Sequence, residues 1–418
     1  MSKHRARQRH RAAWSVTACT AAAMLAGTAT AIADDTAQVP GSSCPGLYVL
    51  GIQGTSESSP GASLFDNTGM LGEMFRPMLA NGVSIGHAYV PYPASFGGVI
   101  GTGAGTDSYG DSVQAARAQL NAMATQVIAQ CPDTQLAAAG FSQGAEVLSS
   151  FAADVGSGNG PVPADRVAGI ALLSNPSRAP GTDPFPGRPG QLTPNPPPGS
   201  DGELTTQVRI NPVPPTGGIA ASGSGYGDLS GRVAEFCIAG DLSCDAPAND
   251  AALRTAAGLA AQADLRDPIA AAQSLSNAWS DTVADTRTSV LVNDVSVVDG
   301  QVTYAPSRSV SQRLAEAADP RSAAPTPEET HAANDKADRV VSAILADPLG
   351  QIPRLAGQLV AAIGQNIADN SDLANPAVLG RYLDVPGNHT GYGTDGQTAN
   401  AADWFSALSR DLAGGAGR

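Results

Sequence analysis

The stretch Ala137-Ala138-Ala139-Gly140-Phe141-Ser142-Gln143-Gly144-Ala145-Glu146 decides how the rest of the chain is read. An apolar run ends in Gly-x-Ser-x-Gly, and a helix-like run follows. A serine between a strand and a helix must sit in a tight, strained turn, and small residues two positions to either side let the backbones pass closely. The helix N-terminus then points its free N–H groups and its positive dipole end at the reacting centre. In a chain with 47 glycines the five-residue pattern is weak by itself. The apolar strand before it and the helix after it supply the context that the chemistry requires.

Outward from this stretch the pattern alternates. Leu47 to Ile52 reads as a buried strand, 68–81 as a helix, and Val83 to Val90 as a second strand. Asp111 to Gln130 reads as an amphipathic helix, with Val113, Ala116, Leu120, Met123 and Val127 along one face. Asp111 or Ser112 is its expected cap, and Cys131-Pro132-Asp133 stops it. The strand 135–141 delivers Ser142, a helix covers 144–153, and Arg166 to Ser174 gives a further apolar strand. This order predicts an α/β fold: a three-layer sandwich with a central, mainly parallel sheet and helices on both faces. Ligands then bind beyond the carboxyl ends of the strands, where Thr55 and Ser142 both stand. Residues 176–202 are rich in Pro and Gly and read as a surface loop, and Arg232 to Ala239 as a strand.

The composition changes near Ala248. Residues 248–263 and 267–283 read as Ala-rich helices, Leu291 to Tyr304 as a hairpin turning at Asp299-Gly300, and 308–318, 327–346 and 352–368 as further helices. The chain thus divides into a core over 44–247 and 380–418 and a mostly helical insertion over 248–379. The insertion lies between two candidate catalytic segments, which is where a cap over the site would be inserted. A last helix fits 399–413.

The first 33 residues read as an export signal. Lys3, Arg5, Arg7, Arg9 and Arg11 precede an apolar stretch from Ala12 to Ala26, and Ala31-Ile32-Ala33 is a small-residue cleavage site. There is no adjacent Arg-Arg pair, so the general secretory route is expected. Cys19 lies too early in the apolar stretch for a lipidation box. A short polar lead-in, 34–43, follows. The formal charge of −14, which becomes about −19 without the five basic residues, argues against a nucleic-acid surface. Removing the signal leaves Cys44, Cys131, Cys237 and Cys244, an even number in an exported chain. Three pairings are open, and spacing favours Cys237 with Cys244 as a local brace and Cys44 with Cys131 as a long-range tie.

A serine nucleophile needs a base, and the base an orienting carboxylate. Beyond the signal the histidines are His87, His331 and His389. His331 sits in a solvated helix start, and His87 inside a strand, where backbone satisfies a core histidine. His389 follows Pro386-Gly387 on an expected loop before the last helix, the late position that the serine, acid, histidine order of α/β-hydrolases demands. For the acid, Asp241 lies between Cys237 and Cys244, where a disulfide would hold it rigidly, with Asp245 as competitor. The oxyanion hole is expected from the N–H of Gln143, directly after the serine, and from Thr55 on the loop after the first strand. Glu146, one turn into the helix, is read as a partner of the helix N-terminus. No metal-ligand spacing, phosphate-binding loop or dinucleotide fingerprint is present, so neither metal nor cofactor is expected.

With these residues assembled, the chain resembles the cutinase family of α/β-hydrolases, in its actinobacterial cutinase-like branch. The matching segments are Cys131-Pro132-Asp133-Thr134 leading into Gly140 to Ala145, Tyr226-Gly227-Asp228-Leu229-Ser230-Gly231-Arg232-Val233, and Phe236 to Cys244. The Cys-x3-Asp-x2-Cys frame around Asp241 is the most specific of them, His389-Thr390-Gly391-Tyr392 resembles the histidine segment, and Gly54-Thr55-Ser56-Glu57 the oxyanion loop. The resemblance implies Ser142 as nucleophile, Asp241 as acid, His389 as base, Thr55 and Gln143 as oxyanion hole, and the pairs Cys44–Cys131 and Cys237–Cys244. It implies an exported serine esterase for lipid or polyester substrates, with peripheral contact to lipid or the cell envelope. Two alternatives share the same residues: a non-catalytic lipid-binding protein on a hydrolase scaffold, and an acyltransferase. The resemblance does not extend to 248–379; members with acid and histidine close in sequence are lidless, so a cap would make polymeric cutin a poor fit.

Overall fold

The structure, a computed structural model, describes residues 44–80, 84–99, 105–220 and 225–415; the expected export signal and lead-in lie outside the described residues. The core begins with β1 (Leu47–Ile52), α1 (Gly69–Ala80), β2 (Ile85–Tyr89), α2 (Tyr109–Gln130), β3 (Gln135–Phe141), α3 (Gln143–Gly156), β4 (Val167–Leu173) and β5 (Val233–Phe236). The five strands make one sheet in the order β2-β1-β3-β4-β5, and every neighbouring pair is parallel. β1 is buried along its whole length, as a strand covered on both faces must be. Tyr48, Leu50 and Ile52 pack with α2 and α3 through Leu120, Val127 and Phe151. Leu47 and Val49 face the other way, toward Met74 and Phe75 of α1 and Trp404 and Leu408 near the C-terminus. The expected α/β sandwich is therefore present, with the two-residue period of β1 dividing its side chains between two cores.

The order matters for function. The chain passes from β1 outward to β2, then crosses back to lay β3 on the other side of β1. The helices that follow β1 and β3 thus leave on opposite faces, which opens a crevice at the carboxyl ends of these two strands. The register pairs Ile52 with Gly140, so the loop carrying Thr55 and the turn carrying Ser142 emerge side by side.

Two local readings change. α2 is capped by Ser108, whose hydroxyl accepts from the Asp111 N–H, rather than by Asp111 or Ser112. Ser112 is buried instead, accepting from Ser95 N and donating to Gln143 Oε1. Residues 176–202 hold neither helix nor strand, as read, but they are more than surface. Arg178 and Phe185 are fully buried, and Arg178 donates to the carbonyls of Cys244, Pro214 and Thr216.

The region after the core strands contains α4 (Ala251–Ala261), α5 (Pro268–Asn293), the hairpin β6 (Val295–Val298) and β7 (Gln301–Tyr304), α6 (Val310–Ala318), α7 (Pro327–Ala346), α8 (Pro348–Ala368) and α9 (Pro376–Leu379). The hairpin turns at Asp299 (φ 48°) and Gly300 (φ 74°), the two positive φ values that a two-residue loop of this hand demands. α5 continues through the expected start of the hairpin, and α8 begins earlier than its apolar pattern indicated, because Asp347 caps it and Pro348 fills its first position. The chain ends in α10 (Val385–Thr390) and α11 (Gln397–Gly415). Both disulfides favoured by spacing are formed, Cys44–Cys131 and Cys237–Cys244.

Candidate active site

Ser142 stands between β3 and α3 with φ 54° and ψ −117°, a conformation that L-residues adopt only under constraint. Its glycine neighbours explain the constraint. A Cβ on Gly140 would lie 2.5 Å from Gly144 O, and one on Gly144 would lie 2.1 Å from Ile52 O. The glycines therefore allow the turn and the start of α3 to press against the end of β1. The Ser142 side chain makes no capping bond to α3, so the hydroxyl is not consumed in holding the helix.

Asp241 is fully buried in the loop closed by Cys237–Cys244. Its Oδ1 lies 2.9 Å from His389 Nδ1 and accepts from Ser243 N at 3.1 Å. Its Oδ2 accepts from Ser174 Oγ at 2.6 Å and from the Tyr392 hydroxyl at 2.7 Å. Burial alone would push this carboxyl up, but bonds from His389, Ser174 and Tyr392 and the imidazole charge outweigh it, and the carboxyl is held below its ordinary value. Asp245, the competing acid, is also buried but serves as a brace: its Oδ2 accepts from Gly240 N at 2.7 Å and from Arg381 at 2.6 Å, and its Oδ1 from the Thr216 hydroxyl.

His389 lies on the short helix α10 rather than on a loop. Pro386 and Gly387 occupy its first turn, where a missing N–H costs nothing, and Asp384 caps it through Gly387 N at 3.1 Å. The imidazole packs against Phe141, the residue before the serine, with ring centroids 5.1 Å apart. With Nδ1 bonded to Asp241, Nε2 is the ring nitrogen left for proton transfer. His331 is exposed beside Asp335, and His87 is enclosed by Phe65, Phe75 and Tyr89. The expectation that backbone satisfies His87 holds for one side of the ring only: burial lowers its pKa, a backbone bond at Phe65 opposes this, and Nε2 has no partner among the described residues.

The loop after β1 is fixed by Glu57, whose carboxylate accepts from Gly54 N and Met70 N, each at 3.0 Å. The Tyr92 hydroxyl bonds Gln53 O at 2.5 Å, and Ser56 N donates to Ala94 O at 2.8 Å. Thr55 is thus held between two anchored residues. The Gln143 side chain is buried between Ser112 Oγ and Ser95 O. Its N–H is the first of α3, one of those a helix leaves without an internal partner. Thr55, Ser142, Asp241 and His389 line one cavity of about 1060 Å³. Arg254 and Ala257 of α4, Ala315 of α6 and the following Arg321 line the same cavity.

Three neighbours of these candidate residues are not picked out by the sequence pattern. Ser174 directly follows β4 with φ 58° and lies 3.0 Å from His389 Nδ1 as well as bonding Asp241. Its only sequence signal is a serine at the carboxyl end of a strand. Tyr392 was visible as part of the histidine segment, but not as a donor to the acid. Arg321 corrects the reading of Glu146. That carboxylate is buried, accepts from the Tyr109 hydroxyl at 2.6 Å and meets Arg321 at 3.5 Å, instead of merely facing a helix terminus. Burial pushes Glu146 up, against the pull of Arg321 and Tyr109.

A parallel sheet with its switch point at β1 and β3, and a strained serine turn opening a helix there, define an α/β-hydrolase fold. The chain belongs to the cutinase family, whose model matches residues 43–256, just over half of it. That span includes Thr55, Ser142, Gln143 and Asp241 and ends before His389. The carboxylesterase Culp6 homolog of Corynebacterium glutamicum is 35% identical over 167 residues, 38% of this chain and 50% of the relative. Carboxylesterase Culp1 of Mycobacterium tuberculosis is 31% identical over 137 residues, 32% of this chain and 53% of that protein. The chain therefore spans about half the length of the curated relatives it matches. A solved structure of the catalytic core domain of acetyl xylan esterase from Trichoderma reesei is 19% identical, covering 56% of this chain and 99% of its own, with a TM-score of 0.33.

Proposed function

We propose that the chain is an exported serine esterase in which Ser142, His389 and Asp241 form the catalytic triad. The observation that carries this reading is the 2.9 Å contact of His389 Nδ1 with Asp241 at a cavity that Ser142 also lines. Ser142 Oγ attacks the ester carbonyl carbon while His389 Nε2 takes its proton. The oxyanion of the tetrahedral intermediate is held by the N–H groups of Thr55 and Gln143. The intermediate collapses, the alcohol leaves with the proton from His389, and the acyl group remains on Ser142. Water, deprotonated by the same imidazole, releases the acid and restores the serine. Asp241 fixes the imidazole tautomer and stabilises its cationic form.

The substrate is a lipid-type ester with an apolar acyl group. Phe96, Ile219, Leu242, Ala257, Ala261 and Val385 give the cavity apolar surface suited to such a group. Residues 248–379 act as a cap, which their share of the cavity wall supports; a polymeric polyester fits that enclosure less well. Two disulfides suit an oxidising, extracytoplasmic compartment.

The test is Ser142→Ala assayed on a short p-nitrophenyl ester. Loss of roughly 10³–10⁶ in rate is expected, and near-normal hydrolysis would sink the reading. An added acceptor alcohol separates hydrolysis from acyl transfer by the products formed.

A further inference from the structure

The helix α8 is amphipathic with its faces reversed. Its inward side carries Leu355 and the buried Ala362 but is fastened by amides. Gln351 accepts from Val302 N and donates to Gly300 O, both at 3.0 Å, and Gln358 accepts from Tyr304 N at 2.9 Å. Asn366 accepts from Ser311 N at 2.7 Å. These three amides, spaced by about two turns, fasten α8 to the hairpin and to the start of α6. The outward side is apolar. Leu349, Ile352, Val360, Ile363 and Ile367 lie between 56% and 89% exposed, and with Ala356 they follow three- and four-residue steps along one stripe. Val341 and Leu345, near the end of α7, are exposed as well. A helix in water normally does the opposite, and a row of this kind marks a surface meant to be covered.

We propose that the outer face of α8 docks on a lipid surface of no net charge. Charge selects this occupant. The chain carries a formal −14, yet the 21 residues of α8 contain one charged side chain, Arg354, and no carboxylate. A second copy would bring a further −14 against the first, whereas a zwitterionic or neutral lipid layer sets no such field against the helix. No helix of the described residues is long and apolar enough to cross a membrane, so the contact is one of lying on the surface with the apolar stripe immersed. The helix also reaches the cavity. Its capping residue Asp369 lines the cavity that contains Ser142, and Gln312 of α6, which borders that cavity, donates to Asp369 at 3.1 Å. Docking through α8 places that cavity next to the lipid from which an ester substrate would come. The docking itself stands apart from the esterase reading; only its consequence for rate rests on it.

The experiment sediments the chain from residue 34 onward with sucrose-loaded phosphatidylcholine vesicles, comparing the native sequence with the triple variant Ile352→Gln, Val360→Gln, Ile363→Gln. The native chain is expected to pellet with the vesicles and the variant to partition about tenfold less or weaker. The melting temperature and the rate on a soluble short-chain ester should stay unchanged, since all three side chains face solvent and none lines the cavity with Ser142. Should the triple variant unfold, Val360→Gln and Ile363→Gln singly carry the same comparison. Equal vesicle binding by native chain and variant, or binding by neither, overturns the proposal. A lipid-free native dimer that the variant converts to monomer also overturns it and gives the face to a second copy. Ser142→Ala separates the two readings: it should bind vesicles as the native chain does while hydrolysing no ester.

Discussion

The Ser174 hydroxyl donates to Asp241 Oδ2 at 2.6 Å and stands 3.0 Å from His389 Nδ1, so one side chain at the end of β4 touches both the proposed acid and the proposed base. The Tyr392 hydroxyl adds a second bond to the same carboxylate oxygen at 2.7 Å. The acid is therefore fixed on both oxygens in a fully buried site, and its charge is held by donors rather than by solvent.

On the proposed triad Ser174 is a positioning residue, and its removal should show as such. Ser174→Ala is expected to lower kcat by at most roughly ten- to 150-fold, the worth of one hydrogen bond to a charged group. KM should change little, while the melting temperature falls by the few degrees that one lost donor to a buried carboxylate costs. A rise in KM with unchanged kcat would instead mean that Ser174 contacts substrate.

The buried pair Glu146–Arg321 ties the helix that begins behind Ser142 to the segment after α6. Arg321 also bonds Asp319, Ser177 and the Ala220 carbonyl. Arg321→Ala leaves Glu146 buried without its cation and should cost about 3–5 kcal/mol in urea unfolding. The double variant Arg321→Ala with Glu146→Gln should recover part of that loss, because the orphaned charge is gone. Equal losses in the single and double variants would show that Glu146 is not what Arg321 serves.

Glu235 offers a pH test of stability. It is buried on β5, accepts from Asn175 at 2.9 Å and Tyr226 at 3.2 Å through Oε1, and Oε2 has no partner among the described residues. Burial, opposed by Arg178, Asn175 and Tyr226, pushes its pKa from 4.5 up to about 7. The folded chain thus holds this proton more tightly than the unfolded one. Its stabilising share is complete below the unfolded value and is lost as the pH rises through the folded value. Between pH 4 and 8 the loss is on the order of 3 kcal/mol. Glu235→Gln should flatten the fall in melting temperature over that range, and an unaltered slope would assign the pH dependence elsewhere.

The two disulfides should separate stability from activity. On loop-closure entropy, Cys44–Cys131, with a sequence separation of 87, is worth about 4.6 kcal/mol, and Cys237–Cys244, with a separation of 7, about 2.5 kcal/mol. Replacing the first pair by serine should lower the unfolding midpoint more. Replacing the second should cost more activity, since it releases the loop that holds Asp241. Denaturant curves and ester hydrolysis on both double variants check the crossing, and a variant that lost stability and activity in the same order would contradict it.

Sequence alone determined whatever neighbouring residues impose on the backbone. Gly140 and Gly144 announce a turn because no Cβ fits there, the alternation of strands and helices specifies a parallel sheet, and Cys237 and Cys244 enclose Asp241 within one short loop. The same local logic puts the candidate base His389 on a loop, where the structure has a short helix, because Pro386-Gly387 breaks a helix interior yet fits a first turn. Tertiary structure decided what depends on distant segments meeting. Ser174, Tyr392 and Asp241 converge only because β4, the segment after α10 and the disulfide loop end at one edge of the sheet. Glu146 has an ordinary helix-start sequence and acquires its meaning from Arg321, a cation supplied by a far part of the chain. The apolar residues of α8 have the three- and four-residue spacing that a buried helix face also has. Only the packed structure turns them outward, because Gln351, Gln358 and Asn366 find backbone partners on the inner side and hold the apolar row toward solvent.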